Sequence, residues 1–269
     1  MTGLYFAIGA AVLLALYIFL IAPGKALGVK RYKGARFAHR GLHDETKAEN
    51  SMSAFRAAVD AGFGIELDVR LSKDGELVVF HDDTLDRVCG ISGRVDEFTA
   101  DELSGMRLSG TDDGVPRFSD VLSLVSGRAP LLVEIKEDAG CSLVSAKCAE
   151  VLKNYDGALL VESFNPLSLK NSKKILKNIP HGVLSHKYYD YEQYRKPLYF
   201  LLQTLIMNFL CRPAFVAYDH RHFKCLSLRI LRKLFGVTTF AWTIRSEEEE
   251  KEAYKHGFDG VIFENYIPR

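Results

Sequence analysis

Three carboxylates stand near the ends of two apolar runs, in positions that suit a metal ion. Glu66 and Asp68 are two residues apart, so their side chains point to the same face of a predicted strand. Glu134 lies in a second such run, Leu-Leu-Val-Glu-Ile. Neighbouring carboxylates repel unless they share a proton or bind a cation, and oxygen ligands suit a hard divalent cation such as Mg²⁺ or Ca²⁺. The alternative is a set of rim charges paired with Lys136 and Arg87, but flanking Val and Ile residues argue against a solvated face.

Two histidines and an arginine stand at the ends of other apolar runs. His39 ends the first predicted strand, in Phe-Ala-His-Arg-Gly, and His81 ends the third. A pair of imidazoles can serve as general acid and general base. Arg40 offers a fork of donors that suits phosphate oxygens, and Gly41 permits a tight turn after it. These residue types indicate acid–base chemistry on a phosphorylated substrate.

Nine short apolar runs alternate with helical patterns along the chain. Apolar residues recur at helical spacing over Ser51–Ala61, Leu143–Leu152 and Leu226–Leu234. Alternating strands and helices predict a parallel sheet, and residues 35–269 have the usual length of a (β/α)8 TIM barrel, an α/β fold. The predicted strands are Arg36–His39, Ile65–Val69, Leu77–His81, Leu131–Ile135, Leu159–Ser163, Gly182–Leu184, Phe215–Tyr218, Thr238–Thr243 and Gly260–Phe263.

One predicted strand is surplus to an eight-stranded barrel. The second and third runs are joined by a segment too short for a crossover helix, and Asp74-Gly75 predicts a two-residue hairpin turn. Leu77–His81 is therefore expected to run antiparallel at the barrel rim, with His81 opposite Asp68. Residues 84–117, rich in Gly and Asp, are expected to form a small insertion above the mouth, after the second barrel strand.

The amino-terminal residues 1–24 predict a single transmembrane helix. Leu4 to Ala22 carry no charge, and a helix of this length is about 28 Å long, close to the hydrocarbon thickness of a bilayer. A cleaved signal peptide is the alternative, but it needs a basic start and Met-Thr-Gly has none. Residues 25–34 are expected to form a basic linker. By the positive-inside rule, the following residues predict a cytosolic catalytic domain: Lys25, Lys30, Arg31, Lys33 and Arg36.

Composition indicates a folded domain without a nucleic-acid partner. The chain has 35 Lys+Arg and 34 Asp+Glu, so no positive excess favours nucleic acid. A hydrophobic share of 48% excludes a disordered chain. An odd number of cysteines without a CxxC pair favours a reducing compartment: Cys89, Cys141, Cys148, Cys211 and Cys225. Nothing in the sequence indicates an oligomeric state.

Longer motifs around these residues resemble the glycerophosphodiester phosphodiesterase family. The resemblance covers roughly residues 35–265, and its first block is the most specific. That block contains His39-Arg40-Gly41, Glu49-Asn50-Ser51, Glu66-Leu-Asp68, Ser72-Lys-Asp-Gly75, His81-Asp82 and Leu85-Asp-Arg87. Later matches are Val-Glu134-Ile-Lys136, Glu-Ser163-Phe164, Ala-Trp242-Thr-Ile and Gly257-Phe-Asp-Gly.

The resemblance implies a TIM barrel that uses one divalent cation to cleave phosphodiesters into glycerol 3-phosphate and an alcohol. By residue match, His39 and His81 resemble the family's acid–base pair. The matched metal ligands are Glu66, Asp68 and Glu134, and the matched phosphate-charge stabilisers are Arg40 and Lys136.

Three further matches leave alternatives open. Trp242 resembles an aromatic that lines the substrate groove, but core packing would equally explain it. Glu49 and Asn50 match positions near the mouth, where they would bind substrate. Alternatively, both serve the start of the helix that begins at Ser51.

Two departures from the family pattern border the expected mouth. Phe263-Glu264-Asn265 stands where the family often has Thr-Asp, and Arg245 replaces a common Asn after Trp-Thr-Ile. Both are expected to affect the substrate's leaving group without touching the metal or acid–base residues.

The substrate class stays open between soluble glycerophosphodiesters and lysophospholipids. Leu198–Leu210 is apolar but too short to span a bilayer, and basic residues flank it. It is either an outer barrel helix buried by its neighbours or an interfacial helix beside the anchor, which would suit a lipid substrate. A third possibility is a membrane-tethered barrel that only binds phosphorylated ligands. That class requires the loss of a ligand or a histidine, and all are present.

Overall fold

The computed structural model describes residues 2–137 and 142–269, and nine strands lie within them. The strands are β1 Arg36–Ala38, β2 Gly64–Leu71, β3 Leu77–Val79, β4 Leu131–Ile135, β5 Leu159–Ser163, β6 His181–Ser185, β7 Phe215–Asp219, β8 Thr238–Ile244 and β9 Gly260–Phe263. The helices are α1 Thr2–Ile21, α2 Met52–Asp60, α3 Asp86–Cys89, α4 Ala100–Ser104, α5 Phe118–Val125, α6 Leu143–Leu152, α7 Pro166–Ser172, α8 Pro197–Gln203, α9 Asn208–Cys211, α10 Leu226–Phe235 and α11 Glu247–Lys255. Cys141 lies outside the described residues, and the other four cysteines carry free thiols.

Eight of these strands close into a barrel. Apart from β3, each strand is parallel to its neighbours, and the sheet closes where β1 pairs with both β9 and β2. Phe37, Phe215 and Phe240 meet edge to face inside the barrel, and a larger apolar core packs the strands against the outer helices. The predicted (β/α)8 TIM barrel is confirmed.

The hairpin strand β3 is antiparallel to β2, as predicted, but its predicted register is wrong by one residue. Phe80 donates its N–H to the Asp68 carbonyl oxygen at 3.0 Å, so Phe80 and not His81 lies opposite Asp68. The turn has three residues instead of two. The Gly75 N–H donates to the Ser72 carbonyl, and Gly75 then takes the left-handed conformation (φ 77°) that closes such a loop.

Residues 84–117 pack against the hairpin around a small core of their own. Val78 and Phe80 of the hairpin contribute to this core, which also includes Leu85, Val88, Val95, Ala100, Leu103, Leu108 and Val115. Arg70, beyond the barrel part of β2, donates from Nε and Nη2 to the His81 carbonyl at 2.9 and 2.7 Å. The insertion and this arginine together hold His81 in place at the mouth.

The segment predicted as a linker closes the base of the barrel. A 3₁₀ turn at Val29–Tyr32 buries both of its end side chains, which are 1% and 5% exposed. They pack against Phe37, Leu132 and Phe215 at the amino ends of the strands. Val29 and Tyr32 of the predicted linker therefore pack against the barrel, whereas most of the other residues of this segment are exposed.

The carboxyl end of α1 is fixed to the outside of the barrel. Asn208 of α9 donates from Nδ2 to the Ile21 carbonyl at 3.2 Å. Arg212 donates to the Phe19 carbonyl at 2.6 Å, and its guanidinium lies 4.5 Å from the Phe19 ring centroid. The remainder of α1, residues 2–16, is exposed. The whole helix, Thr2–Ile21, is long and apolar enough to cross a membrane, although a signal sequence passes the same test.

The apolar segment Leu198–Leu210 forms two short helices, α8 and α9, with a turn between them. No residue of α8 is fully buried, and Leu198 and Phe200 are 51% and 45% exposed. The expectation of one outer helix buried by its neighbours is therefore wrong for this half of the segment.

Candidate active site

Glu66, Asp68 and Glu134 converge at the carboxyl ends of β2 and β4. Asp68 and Glu134 are direct neighbours in the parallel register of these strands. All three side chains are buried, and one oxygen of each lies within 4.8 Å of the others. The two-residue spacing thus brings both β2 carboxylates to the same inner face, as predicted.

The three carboxyl groups oppose one another's ionisation. Burial, followed by the charges of Asp68 and Glu134, raises the pKa of Glu66 well above its usual value. Burial also raises the pKa of Glu134 to about 7, despite the opposing charge of Lys136. For Asp68, burial is outweighed by neighbouring cations, Lys136 first, and its pKa stays well below its usual value. Three buried oxygen donors under this repulsion fit a divalent cation.

Lys136 and Asn50 hold the carboxylates from two sides. The Lys136 Nζ lies 2.6 Å from Glu134 Oε1 and 3.1 Å from Asp68 Oδ1. Asn50 donates from Nδ2 to Asp68 Oδ2 at 2.8 Å and is only 2% exposed. The helix cap considered for Asn50 is supplied by Ser51, whose hydroxyl accepts from the Ala54 N–H.

Arg40 lies between the acidic cluster and Glu49. Its backbone takes the left-handed conformation (φ 56°), and its N–H donates to Glu66 Oε2 at 2.9 Å. Its Nη1 donates to Glu49 Oε1 at 2.8 Å, and Arg87 binds the same carboxylate from the insertion. Gly41 follows against α2, where a Cβ would approach Ala54 Cβ to 2.9 Å. The tight turn expected after Arg40 is present.

His39 is held by a residue that the sequence did not connect with it. Its Nδ1 lies 2.5 Å from Glu264 Oε2, and its Nε2 lies 4.0 Å from Glu66 Oε2. Arg245 pairs with the other oxygen of Glu264 at 2.8 Å. The expectation that both departures from the family pattern leave the acid–base residues untouched is therefore wrong, because Glu264 hydrogen-bonds His39 directly.

His81 is held in a similar way by its neighbour in the sequence. Its Nδ1 lies 2.6 Å from Asp82 Oδ1, and Arg87 binds the other Asp82 oxygen. Burial lowers the pKa of His81 to about 4, against the opposing charge of Asp68. Both histidines thus bind a carboxylate at Nδ1 and line the same cavity.

The cavity of about 450 Å³ has a charged side and an apolar side. His39, His81, Glu66 and Glu134 line the first side, whereas Phe164, Leu184, Trp242 and Ile262 line the second. The rings of Trp242 and Phe164 meet edge to face with centroids 5.5 Å apart. Within the described residues, the buried Trp242 Nε1 has no hydrogen-bond partner. Trp242 both packs on the barrel core and lines the cavity, so the two roles considered for it coexist.

Glu162 is a further carboxylate in this cavity that the sequence analysis missed. It is next to Glu134 in the β4–β5 register and 1% exposed. In the described part of the chain, neither of its carboxylate oxygens has a hydrogen-bond partner. Burial and nearby carboxylates raise its pKa well above the usual value. The signal was its place near the end of β5, which matches that of Glu134 in β4.

The chain is similar to known phosphodiesterases over most of its length. Residues 39–267 match the model of the glycerophosphoryl diester phosphodiesterase family. A glycerophosphodiester phosphodiesterase of Caldanaerobacter subterraneus subsp. tengcongensis is 30% identical, and the alignment covers 84% of this chain and 91% of that protein. A lysophospholipase D of Rattus norvegicus is 25% identical, with 87% of this chain and 84% of that protein covered.

Solved structures show the same fold. An Oleispira antarctica phosphodiesterase in complex with the product sn-glycerol-3-phosphate has a TM-score of 0.73 to this chain at 25% identity. The match covers 90% of this chain and 96% of that one.

Divalent cations are expected to stabilise the protein more at pH 8 than at pH 5. Because the pKa of Glu134 is raised to about 7, protons compete with a cation for this carboxylate below that pH. Adding Mg²⁺ or Ca²⁺ to EDTA-treated protein should therefore raise Tm clearly at pH 8 and less at pH 5, as differential scanning fluorimetry would show.

Two isosteric variants control this measurement. Glu134→Gln should lose the cation-dependent shift at both pH values. Glu162→Gln should keep it, because glutamine has the shape of the protonated acid that the raised Glu162 pKa favours. An equal shift at pH 5 and pH 8 in the unaltered protein would contradict competition between proton and cation.

Proposed function

This chain belongs to the glycerophosphoryl diester phosphodiesterase family, and we propose that His39 and His81 carry out its acid–base chemistry. The enzyme hydrolyses glycerophosphodiesters, which yields glycerol 3-phosphate and an alcohol. One observation carries the assignment of roles: two histidines held by carboxylates line the same cavity as Glu66 and Glu134 of the three-carboxylate cluster. Any one of these features alone is common in proteins.

Each histidine keeps one ring nitrogen for the substrate. A carboxylate at Nδ1, Glu264 for His39 and Asp82 for His81, favours the tautomer with the proton on that nitrogen. The Nε2 of one histidine then accepts the proton of the nucleophile. The other histidine, protonated, donates its Nε2 proton to the leaving alkoxide. The nucleophile is either water or a substrate hydroxyl that first forms a cyclic phosphate.

Glu66, Asp68 and Glu134 would hold a divalent cation, which we propose to be Mg²⁺ or Ca²⁺. When bound, this ion supplies positive charge against the phosphate. Arg40 and Lys136 add fixed positive charge next to the cluster, and both are largely shielded from water. Such charges stabilise a transition state that is more anionic than the bound diester.

The remaining matched residues differ in how they reach the substrate. Trp242 and Phe164 form an apolar wall that suits the glycerol moiety or the leaving group. Glu49 lines the cavity and also orients Arg40. Asn50 is buried behind Asp68, so we propose that it positions this metal ligand and does not bind substrate.

Lysophospholipids are the second candidate substrate class. The similarity to a rat lysophospholipase D and the apolar wall of the cavity favour it. An enzyme anchored in the membrane would also meet such lipids directly. We propose that α1 is a retained single-pass anchor and that the basic residues after it keep the barrel in the cytosol.

Replacing either histidine of the pair is expected to reduce turnover about 10²–10⁴-fold, the usual contribution of general acid–base catalysis. Turnover of His39→Ala and His81→Ala would be measured with glycerophosphocholine as the substrate. Both variants should retain the Tm of the unaltered protein. As a control, His256→Ala should retain full activity, because His256 directly follows α11 and does not line the cavity. Near-normal turnover in either active-site variant would remove the role assigned to that histidine.

Glu264→Gln is expected to lower kcat about 10–100-fold with little change in KM, as for carboxylates that orient functional histidines. Glutamine keeps the size of the side chain but lacks the negative charge that favours a proton on His39 Nδ1. Glu264→Asp should recover part of the loss. Unchanged kcat in Glu264→Gln would show that the contact with His39 is only structural.

The two substrate classes are separated by matched assays in detergent. Choline release from glycerophosphocholine and from lysophosphatidylcholine should both depend on the added cation and fail in Glu66→Ala. A higher kcat/KM for the lyso substrate would favour the lipid class, and turnover of the glycero substrate alone would exclude it.

A further inference from the structure

We infer that the barrel docks with its catalytic mouth against the bilayer, through a rim formed by α8 and the first turn of α10. This inference rests on the proposed anchor role of α1. It adds an orientation and a lipid-contacting surface that anchoring alone does not require, because an anchored barrel can face its mouth in any direction.

The contacts of α1 run from the mouth to the base of the barrel. The Tyr17 hydroxyl hydrogen-bonds Ser227 at 2.6 Å, in the first turn of α10, shortly after the chain leaves the carboxyl end of β7. Gly24 donates its N–H to the Pro213 carbonyl at 2.9 Å, just before β7 begins at the base. The helix therefore descends along the barrel wall, and its exposed residues 2–16 project on the mouth side.

Further hydrogen bonds connect Ser227 with the carboxyl ends of the barrel strands. Ser227 donates to the Thr204 carbonyl, and the adjacent Gln203 carbonyl accepts from the Tyr218 hydroxyl at 2.9 Å. Tyr218 lies near the carboxyl end of β7, and Ser185, the last residue of β6, donates to the Leu202 carbonyl at 3.1 Å. The end of α8 and the start of α10 thus lie at the rim of the mouth.

The exposed part of α1 leaves the barrel at the height of the rim. Tyr17, which directly follows the exposed residues 2–16, hydrogen-bonds Ser227 in the first turn of α10. A bilayer that surrounds the exposed part of α1 therefore begins next to the side chains that the rim exposes.

The rim exposes the combination of side chains that suits a lipid headgroup layer. Leu198 and Phe200 of α8 and Leu226 of α10 are 51%, 45% and 61% exposed. The exposed Lys196 and Lys224 lie two residues before Leu198 and Leu226. Apolar side chains next to lysines are typical of surfaces that enter the interface of anionic membranes.

Aromatic rings connect the cavity with this rim. Trp242 contacts His186 at 6.0 Å between centroids, His186 contacts Tyr188 at 4.0 Å, and Tyr188 contacts Tyr199 of α8 at 5.3 Å. Leu198 and Phe200 flank Tyr199 in the sequence. A row of contacting rings therefore links the apolar wall of the cavity to the exposed helix α8, with Tyr188 buried in the middle of the row.

Two matched pairs of tryptophan substitutions test this orientation. Leu226 and Leu234 stand at opposite ends of α10 with 61% and 60% exposure, about 12 Å apart along the helix. Phe200 at the rim and Phe235 at the base form a second pair, 45% and 39% exposed. The full-length chain, whose single tryptophan is Trp242, would be reconstituted into phosphatidylcholine–phosphatidylglycerol vesicles with or without bromine on the upper acyl carbons.

Brominated lipid is expected to quench Leu226→Trp and Phe200→Trp more strongly than the unaltered protein. Leu234→Trp and Phe235→Trp should match the unaltered protein. Equal or stronger quenching of the base variants, no additional quenching of the rim variants, or failure of the chain to float with the vesicles would overturn the inference.

Turnover of glycerophosphocholine in the same vesicles keeps this test separate from the proposed function. Rim quenching without turnover would contradict the enzymatic assignment and support the orientation. Turnover without rim quenching would support the enzymatic assignment and refute the orientation.

Discussion

The mutual repulsion of Glu66, Asp68 and Glu134 is the constraint on which the arrangement of the mouth depends. Burying three carboxylates within 4.8 Å of one another is unfavourable unless positive charge compensates them. The surrounding residues supply this compensation. Lys136 lies between Asp68 and Glu134, and the Arg40 N–H donates to Glu66. The left-handed backbone of Arg40 and the close approach of Gly41 to α2 follow from the need to aim that N–H inward.

The same constraint explains why both histidines carry their own acid. A neutral imidazole in a cavity with several charges has no fixed tautomer unless a partner defines it. Glu264 and Asp82 bind the Nδ1 atoms and are in turn paired with Arg245 and Arg87, which lie at the edge of the mouth. Each histidine is thus held by an acid that is itself paired with an arginine, and in both cases the contact is made at Nδ1 and not at Nε2.

The positions of strand ends in the sequence are enough to predict much of this site, and the features that the sequence did not predict have physical explanations. Strand periodicity and barrel topology brought His39 and the acidic cluster together, because carboxyl ends of parallel strands share one edge. The hairpin register was missed because Gly75 extends the turn by one residue, which local sequence does not distinguish from a two-residue turn. The contact between His39 and Glu264 spans 225 positions and arises only from the β1–β9 pairing that closes the barrel. Glu162 was missed although it follows the same strand-end rule as Glu134.

The two sides of the cavity assign different tasks to different parts of the chain. The charged side includes residues of β2 and β4 and of the segments that follow β1, β3 and β9. The apolar side includes Phe164 after β5, Leu184 of β6, Trp242 of β8 and Ile262 of β9. From Trp242, contacting rings of His186, Tyr188 and Tyr199 lead to α8, where no side chain is fully buried. The attachment of α1 lies on the same flank of the barrel, because α1 contacts α9 and α10. Hydrogen bonds from Ser227 to Thr204 and from Tyr218 to Gln203 connect the start of α10 and the end of β7 to the end of α8. The apolar side of the cavity, the exposed helix α8 and the attachment of α1 are therefore neighbouring parts of one flank of the barrel.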